Sequence, residues 1–161
     1  MAENLKSGEK TNVMRILDSR KIPYDYYTYQ PDPGLTGAQI AGLLNKEAGM
    51  MFKTLVTKGK SGRYYVFVIP VTDELELKKA AKATDEKYVE MIHQKELLPL
   101  TGYVHGGCSP IGMKKAFPVF LHSTAESLDR ICVSAGKVGW QIELKPADLQ
   151  RVVSYRSADL V

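Results

Sequence analysis

Cysteine is scarce: Cys108 and Cys132 are the only two among 161 residues, which excludes a disulfide-built secreted scaffold. No window approaches the roughly 18 apolar residues that a membrane span requires. The opening stretch, residues 1–10, lacks the apolar core of a signal peptide. A soluble, cytoplasmic protein is therefore expected. Several chemical signatures are also missing: GxGxxG after a strand, GxxxxGK[ST], HExxH, CxxC and GxSxG. The three histidines, His93, His105 and His122, have no acidic or cysteine neighbours at metal-ligand spacing. A P-loop hydrolase and a structural zinc site are set aside, and neither a metal nor a cofactor is expected.

What is present is ordinary for a globular chain. Hydrophobic residues make up 44%, charged residues 25%, and 22 Lys+Arg against 18 Asp+Glu leave a formal charge of +4. That excess permits an acidic partner without demonstrating one. One domain over residues 1–161 is expected, with about residues 1–9 polar and frayed. Val13, Ile16 and Leu17 mark an amphipathic helix ending near Lys21, and Tyr24–Tyr29 reads as an aromatic strand. Thr36 and Gln39 form a capping box for a second helix with Ile40, Leu43 and Leu44 facing inward. Strands over Met51–Thr57 and Tyr64–Ile69 pair as a hairpin across residues 58–62. A helix over Leu75–Ala83, a strand over Lys87–Ile92 and a helical turn stopped by Pro99 follow. Pro118–His122 is a strand, Arg130–Ser134 and Val138–Leu144 a second hairpin, and Pro146 opens a closing helix. Helices do not alternate regularly with strands. The expectation is a mixed α+β class of α/β protein: a curved, barrel-like mixed sheet of about six or seven strands with flanking short helices.

Three segments could carry chemistry. Lys53 is the only charge in the apolar strand Met50–Val56; turned into a cleft it needs an acceptor, and turned outward it is a solvated strand residue. The loop Gly102–Gly112 holds adjacent glycines, Gly106 and Gly107, before Ser109-Pro110, so several N–H groups can converge on one oxygen, although a tight connection uses the same residues. Cys108 lies three residues after His105, which raises a thiol nucleophile with its base; a free cysteine is also commonly a small buried hydrophobe. Ser134 and Gln141 flank the hairpin turn at Gly136 and can hydrogen-bond a ligand from the strand ends. Trp140 could stack on a base or sit in the core. Lys58, Lys60, Arg63, Lys78, Lys79, Lys82, Lys114 and Lys115 could form a basic face for a phosphate backbone, or be solvated surface.

Taken in order, Tyr-Thr-Tyr (27–29), Phe-Lys-Thr-Leu (52–55), Leu-Lys-Lys-Ala-Ala-Lys-Ala (77–83), Thr-Gly-Tyr-Val-x-Gly-Gly-x-Ser-Pro-x-Gly (101–112) and Val-Ser-x-Gly-Lys-x-Gly (133–139) closely resemble the bacterial YbaK/EbsC family. That family includes the Cys-tRNA(Pro) deacylases and is related to the editing domain inserted in many bacterial prolyl-tRNA synthetases. The resemblance runs from about Val13 to Val153. It implies trans-editing, the removal of cysteine wrongly attached to proline tRNA, a case in which binding alone discriminates poorly. It also implies that Lys53 is the key polar residue, that Tyr29, Thr54, Gly107 and Ser134 line the pocket, and that the Gly106–Pro110 loop walls the aminoacyl group. The implied mechanism uses the substrate's own thiol, with release of tRNA and a cyclic thiolactone. The implied partners are the acceptor end of an aminoacylated proline tRNA and prolyl-tRNA synthetase. Gln141 stands where some members carry Asp, and the segment Gly34–Gly37 is shorter than in some relatives. Alternatives within this frame are a deacylase for another amino acid such as alanine, or a regulatory module that binds a nucleotide or metabolite without chemistry. Outside it stands a cysteine hydrolase using Cys108 and His105.

Overall fold

The computed structural model describes residues 9–161, so the expectation of a frayed start falls almost wholly outside the described residues. Along the chain run α1 (Asn12–Ser19), β1 (Asp25–Thr28), α2 (Gly37–Leu43), β2 (Phe52–Gly59), β3 (Tyr64–Pro70), α3 (Leu77–Thr84), β4 (Val89–Met91) and α4 (Gln94–Thr101). Then come β5 (Val119–His122), β6 (Ile131–Ser134), β7 (Trp140–Leu144), α5 (Pro146–Val152) and β8 (Tyr155–Ala158). The class is mixed α+β, as expected.

The strands form two sheets, ordered β1-β7-β6 and β4-β2-β3-β5-β8. A single parallel bridge, Met51 to Cys132, joins them. The sheets thus curve around a shared core without closing into a barrel, and the strand count is eight among the described residues. The additional strand is β8, which lies parallel to β5 with Val119 opposite Tyr155.

Period-two alternation splits the core across the larger sheet. Phe52, Val56, Val66 and Val68 face a cluster with Val13, Met14 and Leu17 of α1 and Val133 and Ile142 of the smaller sheet. Tyr65, Phe67 and Ile69 face the opposite way, against Ala80 of α3, Phe120 and Leu160. The α1 start is capped by Thr11, whose hydroxyl accepts from the Met14 N–H at 3.2 Å. Thr36 and Gln39 form the expected reciprocal capping box on α2, at 3.1 and 2.8 Å.

Two local expectations are corrected. Leu43 is 61% exposed, because Ala41 occupies the buried position of α2 with Ile40 and Leu44 beside it. Pro99 does not stop α4, which continues to Thr101. The Thr101 hydroxyl donates to the Leu97 carbonyl at 2.7 Å, and the Gly102 N–H to the Leu98 carbonyl at 2.9 Å. Gly102, at φ 82°, ends the helix in a left-handed conformation that suits glycine.

Candidate functional site

The site opens where the two sheets part. Beyond the Met51–Cys132 bridge, β2 and β6 diverge, and a cleft of about 500 Å³ occupies the gap. One wall is the segment from Leu35 into α2, the floor includes Met51–Leu55, and the far side carries Ser134, Gln141 and the Gly102–Gly112 loop. The α2 wall sits close because position 37 is glycine: a Cβ there would lie 2.5 Å from the Val71 side chain.

The cleft brings together Lys53, Tyr29, Thr54, Gly106, Ser134 and Gln141. Gly107, Ser109, Pro110 and Gly136 are not among its lining residues. Gly107 packs on the β6–β7 turn so closely that a Cβ would lie 3.0 Å from the Val138 backbone nitrogen. Ser109 is fully buried and its hydroxyl accepts from the Ile111 N–H at 3.3 Å. Ser134 Oγ accepts from the Gly136 N–H at 3.1 Å, which fixes the turn that carries Gln141.

Lys53 is half-buried at the rim. Its ammonium lies 3.9 Å from a Glu74 carboxylate that is itself 97% exposed, a contact that water screens. The ammonium is therefore available to a ligand oxygen. Thr54 points from the opposite face of β2. Val56, on the same alternation, turns its carbonyl away from β3 to accept from Ile92 at 3.3 Å. Two residues earlier, the Thr54 N–H and carbonyl must turn the same way, toward the gap that β6 has left. Thr54 Oγ1 and Gln141 Oε1 are both buried without a hydrogen-bond partner among the described residues. A buried polar atom left unpaired costs roughly 1–3 kcal/mol, so two of them in one cleft mark a surface built for a polar ligand.

Cys108 and His105 also line the cleft. Burial pushes the Cys108 thiol up to about 12, which keeps it protonated at neutral pH and unsuited to nucleophilic attack. Cys132 is likewise pushed up to about 12, by burial first and the nearby Glu143 carboxylate second. Trp140 stacks on Tyr26 with ring centres 6.0 Å apart and joins the core, so its packing role prevails over a stacking platform. Of the residues that could have formed a basic face, some are committed locally: Lys79 pairs with Asp159 at 2.9 Å and also donates to the Val161 carbonyl, and Lys58 lies over the Tyr64 ring.

Beside the cleft lies an ion cluster around the buried Glu143 that the sequence did not reveal. Glu143, two residues after Gln141 on the same face of β7, meets Lys46 and Arg130 at 2.9 Å each. Arg130 also reaches Asp25 at 3.3 Å, and Lys46 sits 4.4 Å from the Tyr27 ring centre. The hydrogen bond to Glu143, then that to Tyr27, raises the Lys46 pKa against the opposing effect of burial. Lys46 lies three residues past the end of α2, so this cluster ties the cleft wall to the smaller sheet. Leu35 and Ile40 were not expected at the cleft, because Ile40 reads as an ordinary inward helix position and Leu35 as part of the turn before α2.

Comparison with known proteins places this geometry. The profile of the aminoacyl-tRNA editing domain matches residues 32–152. A protein of Enterococcus faecalis named "Putative Cys-tRNA(Pro)/Cys-tRNA(Cys) deacylase EbsC" is 46% identical over 156 residues, covering 96% of this chain and 95% of that protein. Among solved structures, one described as a "putative trans-editing enzyme for prolyl tRNA synthetase" superposes with a TM-score of 0.80 at 22% identity, covering 98% of both chains. A second, described only as a hypothetical protein, reaches 0.84 at 22% identity over 93% of this chain and 99% of that one. At such identities the structural likenesses speak to the fold alone.

Proposed function

The chain belongs to the aminoacyl-tRNA editing domain family, and from that premise we propose that it is a trans-editing deacylase releasing cysteine from Cys-tRNA(Pro), and from Cys-tRNA(Cys) as well. The named activity of the 46%-identical relative supports the substrate class. The observation that carries the chemistry is the cleft itself: an uncommitted Lys53 ammonium beside unpartnered buried oxygens, with the only cleft thiol held protonated.

The reaction follows from these groups. The substrate's cysteinyl sulfur, as thiolate, attacks its own ester carbonyl carbon. Negative charge gathers on the carbonyl oxygen, where the Lys53 ammonium and the Thr54 N–H stabilise it. The bond from that carbon to the ribose oxygen then breaks, forming a thiolactone. The tRNA leaves with its terminal hydroxyl, taking from water or Lys53 a proton to replace the one the thiol gave up. Water later opens the thiolactone to cysteine. The protein's main task is to hold the near-attack geometry. Tyr29, Gly106, Ser134 and Gln141 bound the aminoacyl group, while Gly107, Ser109, Pro110 and Gly136 hold that wall in place.

The enzyme works on this account in the cytoplasm, taking its tRNA selectivity from prolyl-tRNA synthetase, since a cleft of about 500 Å³ accommodates an acceptor end and little more. Incubating the purified chain with Cys-tRNA(Pro) tests the proposal. Release of free cysteine at catalytic enzyme concentration is expected; an intact ester at high enzyme concentration would refute it.

A further inference from the structure

Gln141 and Thr54 present a specific chemical demand. Gln141 is only 8% exposed and lines the cleft, and its buried amide oxygen has no hydrogen-bond partner among the described residues. Thr54 Oγ1 is equally buried and unpartnered among the described residues, on a residue that also lines the cleft. An amide oxygen is an acceptor only, so the group that satisfies it must be a donor. An aminoacyl ester offers acceptors at its carbonyl and ribose ester oxygens. Its strong donor is the α-ammonium, which brings three N–H groups and a positive charge. Lys53, itself a cation, is chemically suited to the carbonyl oxygen and repels the ammonium toward the neutral oxygens.

We propose that Gln141 Oε1 and Thr54 Oγ1 form the seat for the substrate's free α-ammonium, making the cleft selective for aminoacyl esters over N-acylated ones. This rests on the deacylase reading above. The seat divides the polar work of the cleft: Lys53 takes developing negative charge, and the two oxygens take the fixed positive charge. That division orients the cysteinyl chain, because anchoring both the carbonyl and the α-nitrogen fixes the Cα and directs its side chain. Ser134 lies opposite Gln141 in the β6–β7 register, and its hydroxyl accepts from the Gly136 N–H. The ammonium makes charge-assisted hydrogen bonds, the stronger class, which offset the loss of its own hydration.

A substrate-by-variant cycle tests this. Cysteinyl-tRNA and N-acetylcysteinyl-tRNA are compared with the wild-type protein and with Gln141→Leu, by kcat/KM for release of the amino acid. N-acetylation also alters the thiol's own reactivity, but that change is common to both proteins and cancels in the ratio of ratios. Gln141→Leu is expected to lower kcat/KM for cysteinyl-tRNA about ten- to hundredfold, the range for a hydrogen bond to a charged group, and to leave N-acetylcysteinyl-tRNA nearly unchanged. Gln141→Glu, nearly isosteric, should retain or raise activity on the free amine and depress it on the N-acetyl ester. Equal losses on both esters, or a wild-type-like response in both variants, would overturn the seat. If wild-type protein cleaves neither ester, the deacylase reading itself fails; if it cleaves cysteinyl-tRNA and the cycle shows no coupling, only the seat fails.

Discussion

Two lysines beside the same cleft have opposite lives. Lys46 makes a 2.9 Å ion pair with Glu143, a carboxylate that is only 6% exposed and has Arg130 on its other oxygen. Lys53 has a single distant carboxylate that water surrounds. The same contrast repeats on β7: Glu143 has both oxygens engaged, whereas Gln141, two residues away, has an amide oxygen without a partner among the described residues. Fully partnered buried charge holds structure, since removing one member strands the other. Polar groups left open in a cleft hold a ligand. Burial alone would not have separated them; the state of their partners does.

The largest expected effect breaks the Lys53 side of this contrast. Lys53→Ala should lower deacylation of cysteinyl-tRNA at least about a hundredfold, the usual cost of losing one charge-stabilising donor. Its urea unfolding midpoint should stay near wild type, because the ammonium has no buried partner to strand. Lys46→Met should do the reverse. Glu143 keeps Arg130, so a stability loss of about 2 kcal/mol is expected from the unfolding midpoint, without a comparable fall in kcat. If Lys53→Ala were the unstable variant and Lys46→Met the inactive one, the assignment would be inverted.

A smaller effect concerns buried groups that are neutral. Cys108, Cys132 and Tyr103 are each pushed up to about 12, with burial the first cause in all three. The ordinary values are 9.0 for the thiols and 10.0 for the phenol, so with rising pH the unfolded chain loses these protons first. Stability from this source is complete below about pH 9 and is lost progressively between about pH 9 and 12. Cys108→Ala removes one such group. Its alkaline unfolding midpoint should rise slightly relative to its own neutral stability, while deacylase activity at neutral pH is retained.

Much of this was legible in the residues themselves. The hairpins at 58–62 and 135–137, the capping box at Thr36 and the proline-led α5 are local devices, and local chemistry is sufficient to read them. What was not legible depends on the assembled chain. β8 is a short polar-and-aromatic strand, Tyr-Arg-Ser-Ala, that pairs only because β5 offers an edge. Pro99 stays within α4, where the Thr101 hydroxyl and the Gly102 N–H satisfy the Leu97 and Leu98 carbonyls just before it. For the site, the motifs singled out Lys53, Thr54, Ser134 and Gln141. They gave no sign of which residues touch the cleft and which lie outside it, as Gly107 on the β6–β7 turn and the buried Ser109 do. Nor could spacing reveal that Glu143 is satisfied and Gln141 is open, since both sit at alternating positions of one strand.

The central claim is that the cleft positions a substrate whose own thiol does the attacking. It is tested most directly by comparing cysteinyl and seryl esters on one proline tRNA with the wild-type protein. A serine hydroxyl is scarcely ionised near neutral pH, whereas a thiol with a pKa near 8.5 supplies thiolate readily. The account predicts release of cysteine at least about a hundredfold faster than release of serine, at saturating concentrations of each ester. Equal rates would contradict it, and would return the attack to water or to a group on the protein.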